Sequence, residues 1–326
     1  MVSFFKDKSP AAVFGLVIVS IGVRAFFWKQ SPSIIISPND GLIYYLLRNF
    51  SVLAGNLVAI IYHLLVVIQA LRLNYALNDA RMFPRPAYTT ALAYVLLTAL
   101  LPSWNNITAA LVINSMIIWL IYRMIRLYNT PRPKTLVYNI GLITGCTVLL
   151  YFASLPLVLV AFFAVAFLRP FRFNEWIILL IGILTPFYFL AGWLFLNDKF
   201  YLFTDTFKIF HLTIIRPANL IVMISTLAFA GLAIIIGIFI WQSNNGRMVI
   251  QARKVWSILF VMLILSLPIV YFMKDAWPNA LLLATVPAAT FVSNVFFYPK
   301  RNIGPALLFW LFVALIVYVN WFVIKI

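Results

Sequence analysis

The sequence is poor in the residues that most often carry chemistry. Among its 326 residues there are two histidines and a single cysteine, Cys146. One cysteine cannot form a disulfide framework within the chain, and it cannot supply a cysteine-based metal site. There is also no phosphate-cradling glycine loop, no His/Glu metal-binding spacing and no nucleophile elbow. We therefore predict no metal and no cofactor, and no Ser/His/Asp constellation is present.

Acidic residues are also scarce. Seven Asp and Glu stand against 24 Lys and Arg, which gives a formal net charge of +17. In a soluble protein such an excess would indicate nucleic acid binding. This chain, however, is 65% hydrophobic and 10% charged, with a mean hydropathy of +1.04. A soluble domain could not bury so much apolar surface, so the basic residues are expected to set membrane topology and contact membrane lipids, with no nucleic acid as partner.

The apolar residues form eleven long stretches separated by basic or polar loops. This pattern predicts an all-α, polytopic transmembrane protein with about 11 spans, in which residues 1–326 form a single integral membrane domain. Residues 1–10 are too short and too charged for a cleavable signal peptide, so the first stretch is expected to remain as a span. An N-in/C-out orientation places two thirds of the 24 Lys and Arg in the cytoplasm, and the reverse orientation would invert this ratio.

Two segments, residues 87–122 and 136–168, predict short-armed helical hairpins. Their arms are shorter than the roughly 20 residues needed to cross a bilayer. Basic residues flank both ends of both segments, so each segment must cross an even number of times. Such arms either lie in a locally thinned bilayer or end at a wet cavity inside the protein. Their similar form indicates a weak structural repeat.

Residues 199–216 predict an amphipathic helix in the outer interface, because their aromatic residues recur at helical spacing. Asp205, Lys208, His211 and Arg216 of this segment are candidates for holding a phosphate or a sugar near the membrane surface. The alternative is that these side chains form an ordinary solvated polar face.

The first outer loop contains one acidic residue, Asp40. Held within hydrogen-bond reach of a hydroxyl acceptor, this carboxylate would act as a general base. The alternative is structural, since an Asn-Asp-Gly sequence at residues 39–41 favours a turn and a helix start. Arg48 and Arg24, near the outer ends of two spans, are candidates for binding a lipid phosphate. They would equally well extend to lipid head groups.

Within the predicted spans, ionisable residues are almost missing. No Asp, Glu, Lys or Arg lies at the centre of a span, which disfavours an ion-coupled transporter or proton pump. His63 lies in the second span, where a lone histidine usually hydrogen-bonds a neighbouring helix. A proton-relay role for His63 is the alternative.

The single glutamate, Glu175, follows a basic turn before a long apolar run. We predict Asn174 as the N-cap of the helix that follows, with Glu175 in its first turn, where the helix dipole favours a carboxylate. Arg169 or Arg172 would neutralise it. This explanation assigns Glu175 a structural role.

The same region resembles an uncharacterised family of integral membrane proteins from the phylum Bacteroidota. The resemblance covers roughly residues 1–230. Its motifs are Leu168 to Phe171, then Glu175 and Trp176, Ile181 and Gly182, and Thr185 and Pro186, preceded by Leu73 to Tyr75 with Asn78, Asn105 and Asn106, and the basic residues at 123–126. The resemblance implies a location in the bacterial inner (cytoplasmic) membrane of a Gram-negative envelope. It implies no activity for any residue.

The layout of the chain is similar to the core of membrane glycosyltransferases of the GT-C type, which use polyprenyl-phosphate sugars. These enzymes carry an acidic residue in the first outer loop, where Asp40 is the candidate in this chain. One hypothesis is therefore a protein that binds a polyprenyl-phosphate-linked or other lipid-linked substrate on its outer side. The other is a non-catalytic membrane subunit that scaffolds an envelope assembly or secretion complex through protein partners. A transporter is a third, weaker alternative.

Overall fold

The chain is described by a computed structural model over residues 2–7, 9–25, 32–36, 41–50, 55–128, 130–201, 220–268, 278–301 and 303–324. Every extended regular element in these ranges is a helix. The one β-type pairing among them is an isolated parallel bridge between Ile34 and Ile107. The prediction of an all-α protein is confirmed for the described part of the chain.

In chain order, the α-helices of the described ranges are α1 (Val2–Phe5), α2 (Pro10–Ala25), α3 (Ile43–Phe50), α4 (Gly55–Asp79), α5 (Thr89–Thr98), α6 (Ala109–Leu127), α7 (Pro133–Leu150), α8 (Pro156–Leu168), α9 (Phe173–Leu196), α10 (Leu220–Asn244), α11 (Ile250–Ser266), α12 (Thr285–Phe297) and α13 (Ile303–Ile324). Short 3₁₀ turns lie at Pro102–Asn105, Phe152–Ser154, Asn245–Arg247 and Asn279–Ala284.

Seven of these helical segments are long and apolar enough to cross a membrane, by length and composition. They are α4, α6, α7, α9, α10 with the turn after it, α12 with the turn before it, and α13. The apolar helices α2, α5 and α8 are shorter. The protein is therefore a multi-pass helical membrane protein.

Two helices form the centre of the bundle. All ten residues of α5 and all thirteen residues of α12 are buried, and the two helices pack against each other. On their outer sides α4 packs against α5, and α10 packs against α12. By contrast, only 22% of the most apolar 18-residue stretch of α9 is buried within the chain, and the same fraction holds for α10. Their outward faces are apolar, as expected of helices in contact with lipid.

The two predicted hairpins both take the form of a helix, a 3₁₀ turn and a second helix, but only one arm of each is short. The short arms are α5 with 10 residues and α8 with 13, whereas α6 has 19 and α7 has 18. Helices α7 and α8 pack against each other, whereas α5 packs mainly against α12 and α4. The short arm α5 is thus enclosed by protein on all sides.

A close contact between backbones joins α7 and α9. A Cβ atom at Gly182 of α9 would lie 2.6 Å from the carbonyl oxygen of Tyr138 and 3.1 Å from Cα of Gly141, both on α7. Gly145, four residues after Gly141, faces Ile183 in the same way. Small residues at such spacing allow membrane helices to approach closely. The contact brings the two helices together in parallel, since higher numbers on α7 face higher numbers on α9.

The basic turn before α9 contains a buried ion pair. Arg169 Nη2 and Nε lie 3.3 Å and 3.4 Å from the two carboxylate oxygens of Glu175, and Arg169 Nη1 donates to the carbonyl oxygen of Thr130 at 3.1 Å. Glu175 thus lies in the first turn of α9 and is neutralised by Arg169. The prediction that Asn174 caps α9 is wrong, because the helix begins at Phe173 and Arg172 occupies the capping position.

Candidate functional site

Arg24, at the last turn of α2, is buried inside the bundle and is only 7% exposed. Its guanidinium donates to Asn105 Oδ1 at 3.1 Å, to Thr98 Oγ1 at 3.2 Å, and to both the carbonyl and hydroxyl oxygens of Ser20 at 3.2 Å. Its Cζ also lies 5.2 Å from the ring centroid of Tyr62. We call these five residues the Arg24 cluster.

Further hydrogen bonds hold the members of the Arg24 cluster in place. The Asn105 amide nitrogen donates to Asn320 Oδ1 of α13 at 3.2 Å. The Tyr62 hydroxyl donates to the carbonyl oxygen of Trp104 at 2.9 Å, and the Trp104 indole donates to the carbonyl oxygen of Pro278 at 3.1 Å. The cluster therefore joins α2, α4, α5 and α13 at the turn Pro102–Asn105.

The charge of Arg24 is the unusual feature of this cluster. All of the hydrogen-bond acceptors around it are neutral. In the described part of the chain, the ion pairs are Arg85 with Asp7 and Arg169 with Glu175, so no carboxylate there balances Arg24. A buried cation without a counterion is costly, and an ionisable residue inside a membrane protein is by default a candidate for function. This favours an anion as the partner of Arg24.

His63 lies beside the Arg24 cluster. Its Nδ1 is 3.2 Å from the hydroxyl oxygen of Ser20, on the neighbouring helix α2. The expectation that this lone histidine hydrogen-bonds an adjacent helix is confirmed.

The loop after α2 is hydrogen-bonded to the end of the bundle that contains the Arg24 cluster. Ser33 donates from its backbone nitrogen and its hydroxyl to Asn106 Oδ1, both at 3.0 Å. Ile107 donates to the carbonyl oxygen of Ser33 at 2.9 Å, and Ile35 donates to that of Ile107 at 3.1 Å. Further along, Gly41 has a φ of +65°, and a Cβ there would lie 2.7 Å from the carbonyl oxygen of Leu150. The loop is thus hydrogen-bonded to the turn after α5, and its later part at Gly41 lies against the end of α7.

Apart from Arg24, one of the phosphate-binding candidates predicted from sequence lies in the described part of the chain, namely Arg48. It lies on the exposed side of α3, a short amphipathic helix that buries Ile43 and Leu47. The other candidates, Asp40, Asp205, Lys208, His211 and Arg216, lie outside the described residues.

A second buried polar cluster was not predicted from the sequence. The Tyr94 hydroxyl donates to Gln69 Oε1 at 2.7 Å, and Gln69 Nε2 donates to the carbonyl oxygen of Leu111 at 2.7 Å. Asn114 Nδ2 donates to the Tyr94 hydroxyl at 3.2 Å and to the carbonyl oxygen of Leu282 at 3.1 Å. One signal was present in the sequence: Gln69 lies seven residues after Tyr62 on α4, so these two polar side chains share one face of the helix.

Comparisons with known proteins add no assignment. No protein-family model matches the chain, and neither a curated protein nor a solved structure was found to be similar to it. Among the described residues, no group of three or more His, Cys, Asp or Glu side chains is placed to hold a metal ion. The Arg24 cluster, with its buried positive charge, is the candidate functional site.

Proposed function

We propose that this protein is an inner-membrane protein that binds a polyprenyl-phosphate-linked or other anionic lipid-linked ligand on its outer side. The observation that carries the proposal is the buried guanidinium of Arg24, whose acceptors in the described part of the chain are all neutral. A guanidinium is suited to phosphate because it is always charged. The bonds to Asn105, Ser20 and Thr98 occupy most of its five N–H donors, so the ligand would be held chiefly through charge. An anion at this place would balance the charge of Arg24, for which the described residues supply no carboxylate.

The proposed topology has eleven spans, with the N-terminus in the cytoplasm and the C-terminus outside. The distribution of Lys and Arg supports this orientation. It puts the Arg24 cluster, the fastened loop and α3 on the outer side. A reporter enzyme that is active only outside the cytoplasm, fused after residue 326, should then be active. An active fusion at residue 128, in the loop after α6, would contradict the proposed topology.

In this proposal the layout is that of a GT-C-like core. Asp40 would be the general base that activates a hydroxyl acceptor. Arg48, Asp205, Lys208, His211 and Arg216 would contact the phosphate or sugar near the membrane surface. Support for Asp40 comes from the residues on either side of it: Ser33 is hydrogen-bonded to Asn106, next to the Arg24 cluster, and Gly41 lies close to the carbonyl oxygen of Leu150.

Native mass spectrometry of the protein, extracted from its own membranes in mild detergent, tests the proposal. The wild-type protein is expected to retain a mass that matches a polyprenyl phosphate or its sugar adduct. Arg24→Gln should lose most of that lipid, while Arg72→Gln, a matched change at the exposed far end of α4, should keep it. Equal retention by the two variants, or no phosphate-bearing lipid on the wild type, would contradict the proposal.

The catalytic part has its own test. Asp40→Asn should abolish function in a strain that lacks the native gene, because an amide cannot accept the proton of the acceptor hydroxyl. Full function of this variant would remove catalysis from the proposal and leave lipid binding intact.

The second candidate function is a non-catalytic subunit of an envelope assembly or secretion complex. The observation that favours it is the wide apolar face of α9, where Tyr188, Phe189 and Trp193 are exposed. A partner helix would cover this face in the assembly. A protein partner that survives mild detergent extraction and is lost in Trp193→Ala would favour the scaffold over the lipid-binding function.

A further inference from the structure

A cavity of about 630 Å³ lies at the end of the bundle that carries the N-terminus. Three segments line it, namely the chain after α1, the loop before α5, and the turn between α12 and α13. Its charged lining residues are Lys6, Asp7, Arg85 and Lys300. The helix α2, about 24 Å long, separates this N-terminal cavity from the Arg24 cluster.

The walls of the N-terminal cavity are tied to one another. Tyr88 donates from its backbone nitrogen to the carbonyl oxygen of Phe5 at 2.8 Å, and Phe5 itself is buried. Lys6 Nζ donates to the carbonyl oxygen of Pro299 at 2.9 Å, and Arg85 lies 3.5 Å from the carboxylate of Asp7. Residues from both ends of the sequence are thus held around one space.

The lining carries three cations against one carboxylate. Lys6 is only 6% exposed, and burial together with the nearby positive charge of Arg85 lowers its pKa. The side chains of Arg85 and Asp7 are 58% and 71% exposed, so their ion pair is screened by water and contributes little to stability. Arg85 is therefore not committed to Asp7, and it lines the same cavity as Lys300.

We propose that the N-terminal cavity binds a phosphate monoester. Its volume falls within the range of about 300–1,000 Å³ that is typical of small-molecule sites. Basic pockets at the ends of membrane helices hold lipid head groups, and a soluble phosphate compound offers the same chemistry. The ligand is therefore the phosphate of phosphatidic acid or that of a small soluble ester. This site is independent of the ligand proposed for the Arg24 cluster.

The experiment uses the full chain in detergent, delipidated and titrated in two arms with native mass spectrometry as readout. One arm adds short-chain phosphatidic acid, with phosphatidylcholine as the lipid that lacks a monoester. The other arm adds glycerol 3-phosphate. The test variant is Arg85→Gln combined with Lys300→Gln, both at exposed positions. The control is Arg301→Gln, which removes a neighbouring charge that does not line the cavity.

The double variant should bind the ligand about tenfold more weakly or worse, whereas Arg301→Gln should stay within about twofold of wild type. Binding in the first arm alone identifies a lipid head group, and binding in the second identifies a soluble phosphate compound. Equal weakening in both variants would show a general surface charge effect and overturn the proposal. The same holds if neither ligand binds, or if phosphatidylcholine binds as well as phosphatidic acid.

Discussion

Arg24 Nε donates a 3.1 Å hydrogen bond to Asn105 Oδ1, across 81 positions of the sequence. The same asparagine donates from its amide nitrogen to Asn320. One side chain in the turn after α5 therefore links the end of α2 to α13. This link places a positive charge in the interior, at the end of the bundle where the loop after α2 is fastened.

Arg24→Lys should destabilise the protein although it keeps the charge. A lysine nitrogen cannot reach Asn105, Thr98 and Ser20 with the geometry of a guanidinium, so some of these buried groups lose their partner. We expect a loss of about 2 kcal/mol, seen as a lower midpoint of thermal unfolding in detergent. The control is Arg72→Lys at an exposed position of α4. Equal midpoints for the two variants would contradict a buried, hydrogen-bonded Arg24.

Asn105→Asp should weaken anion binding without removing Arg24. The new carboxylate would lie next to the guanidinium and supply the counterion that the ligand is proposed to provide. We expect the lipid retained in native mass spectrometry to fall by about tenfold. Asn106→Asp, one residue further on and bonded to Ser33, is the matched control. A variant Asn105→Asp that retains as much lipid as wild type would argue against Arg24 as the anion contact.

Gly182→Ala should separate α7 from α9. The added methyl group would lie 2.6 Å from the carbonyl oxygen of Tyr138 and 3.1 Å from Cα of Gly141. Both are backbone atoms, which cannot move away by a side-chain rotation. We expect destabilisation of about 1–3 kcal/mol, measured by thermal unfolding. Gly192→Ala on the same helix has no atom within 4 Å of its new methyl group, so it should be neutral or slightly stabilising. Similar melting of the two variants would contradict the close contact.

Arg169 and Glu175 should behave as a coupled pair. Glu175→Leu leaves Arg169 with a buried, unbalanced charge, and should destabilise the protein by about 3–5 kcal/mol. Adding Arg169→Met should restore most of that loss, since replacing both partners by apolar residues is often nearly neutral. The measurement is a double-mutant cycle of unfolding free energies. Additive single effects would show that the two side chains do not interact.

The positions of the helices follow from the sequence because the apolar stretches are long and the loops between them are basic. Their ends are less predictable. Asn174 has the chemistry of an N-cap, but α9 begins at Phe173 and Arg172 takes the capping position, without a side-chain cap bond. A boundary two residues away changes the role of Asn174 without changing the rest of the helix.

The partners of the helices do not follow from the sequence. Lipid and protein interior are both apolar, so the fully buried α5 and the largely exposed α9 both consist mainly of apolar residues. Composition therefore cannot show that α5 packs against α12, almost two hundred residues away. The sequence is equally ambiguous about the direction in which the Arg24 side chain extends. An arginine at the end of a span either extends to head groups or turns inward, and the choice depends on Thr98 and Asn105.

The bond from Lys6 to Pro299 also sets an order of events during biosynthesis. The two residues are 293 positions apart, so the acceptor is translated long after the donor has left the ribosome. At about 5–20 residues per second, the delay is on the order of 15–60 s. The nascent chain can dock Phe5 against Tyr88 early, but the last wall around Lys6 arrives only with the turn before α13. Completion of this corner thus reports that the chain has been inserted as far as the turn before α13.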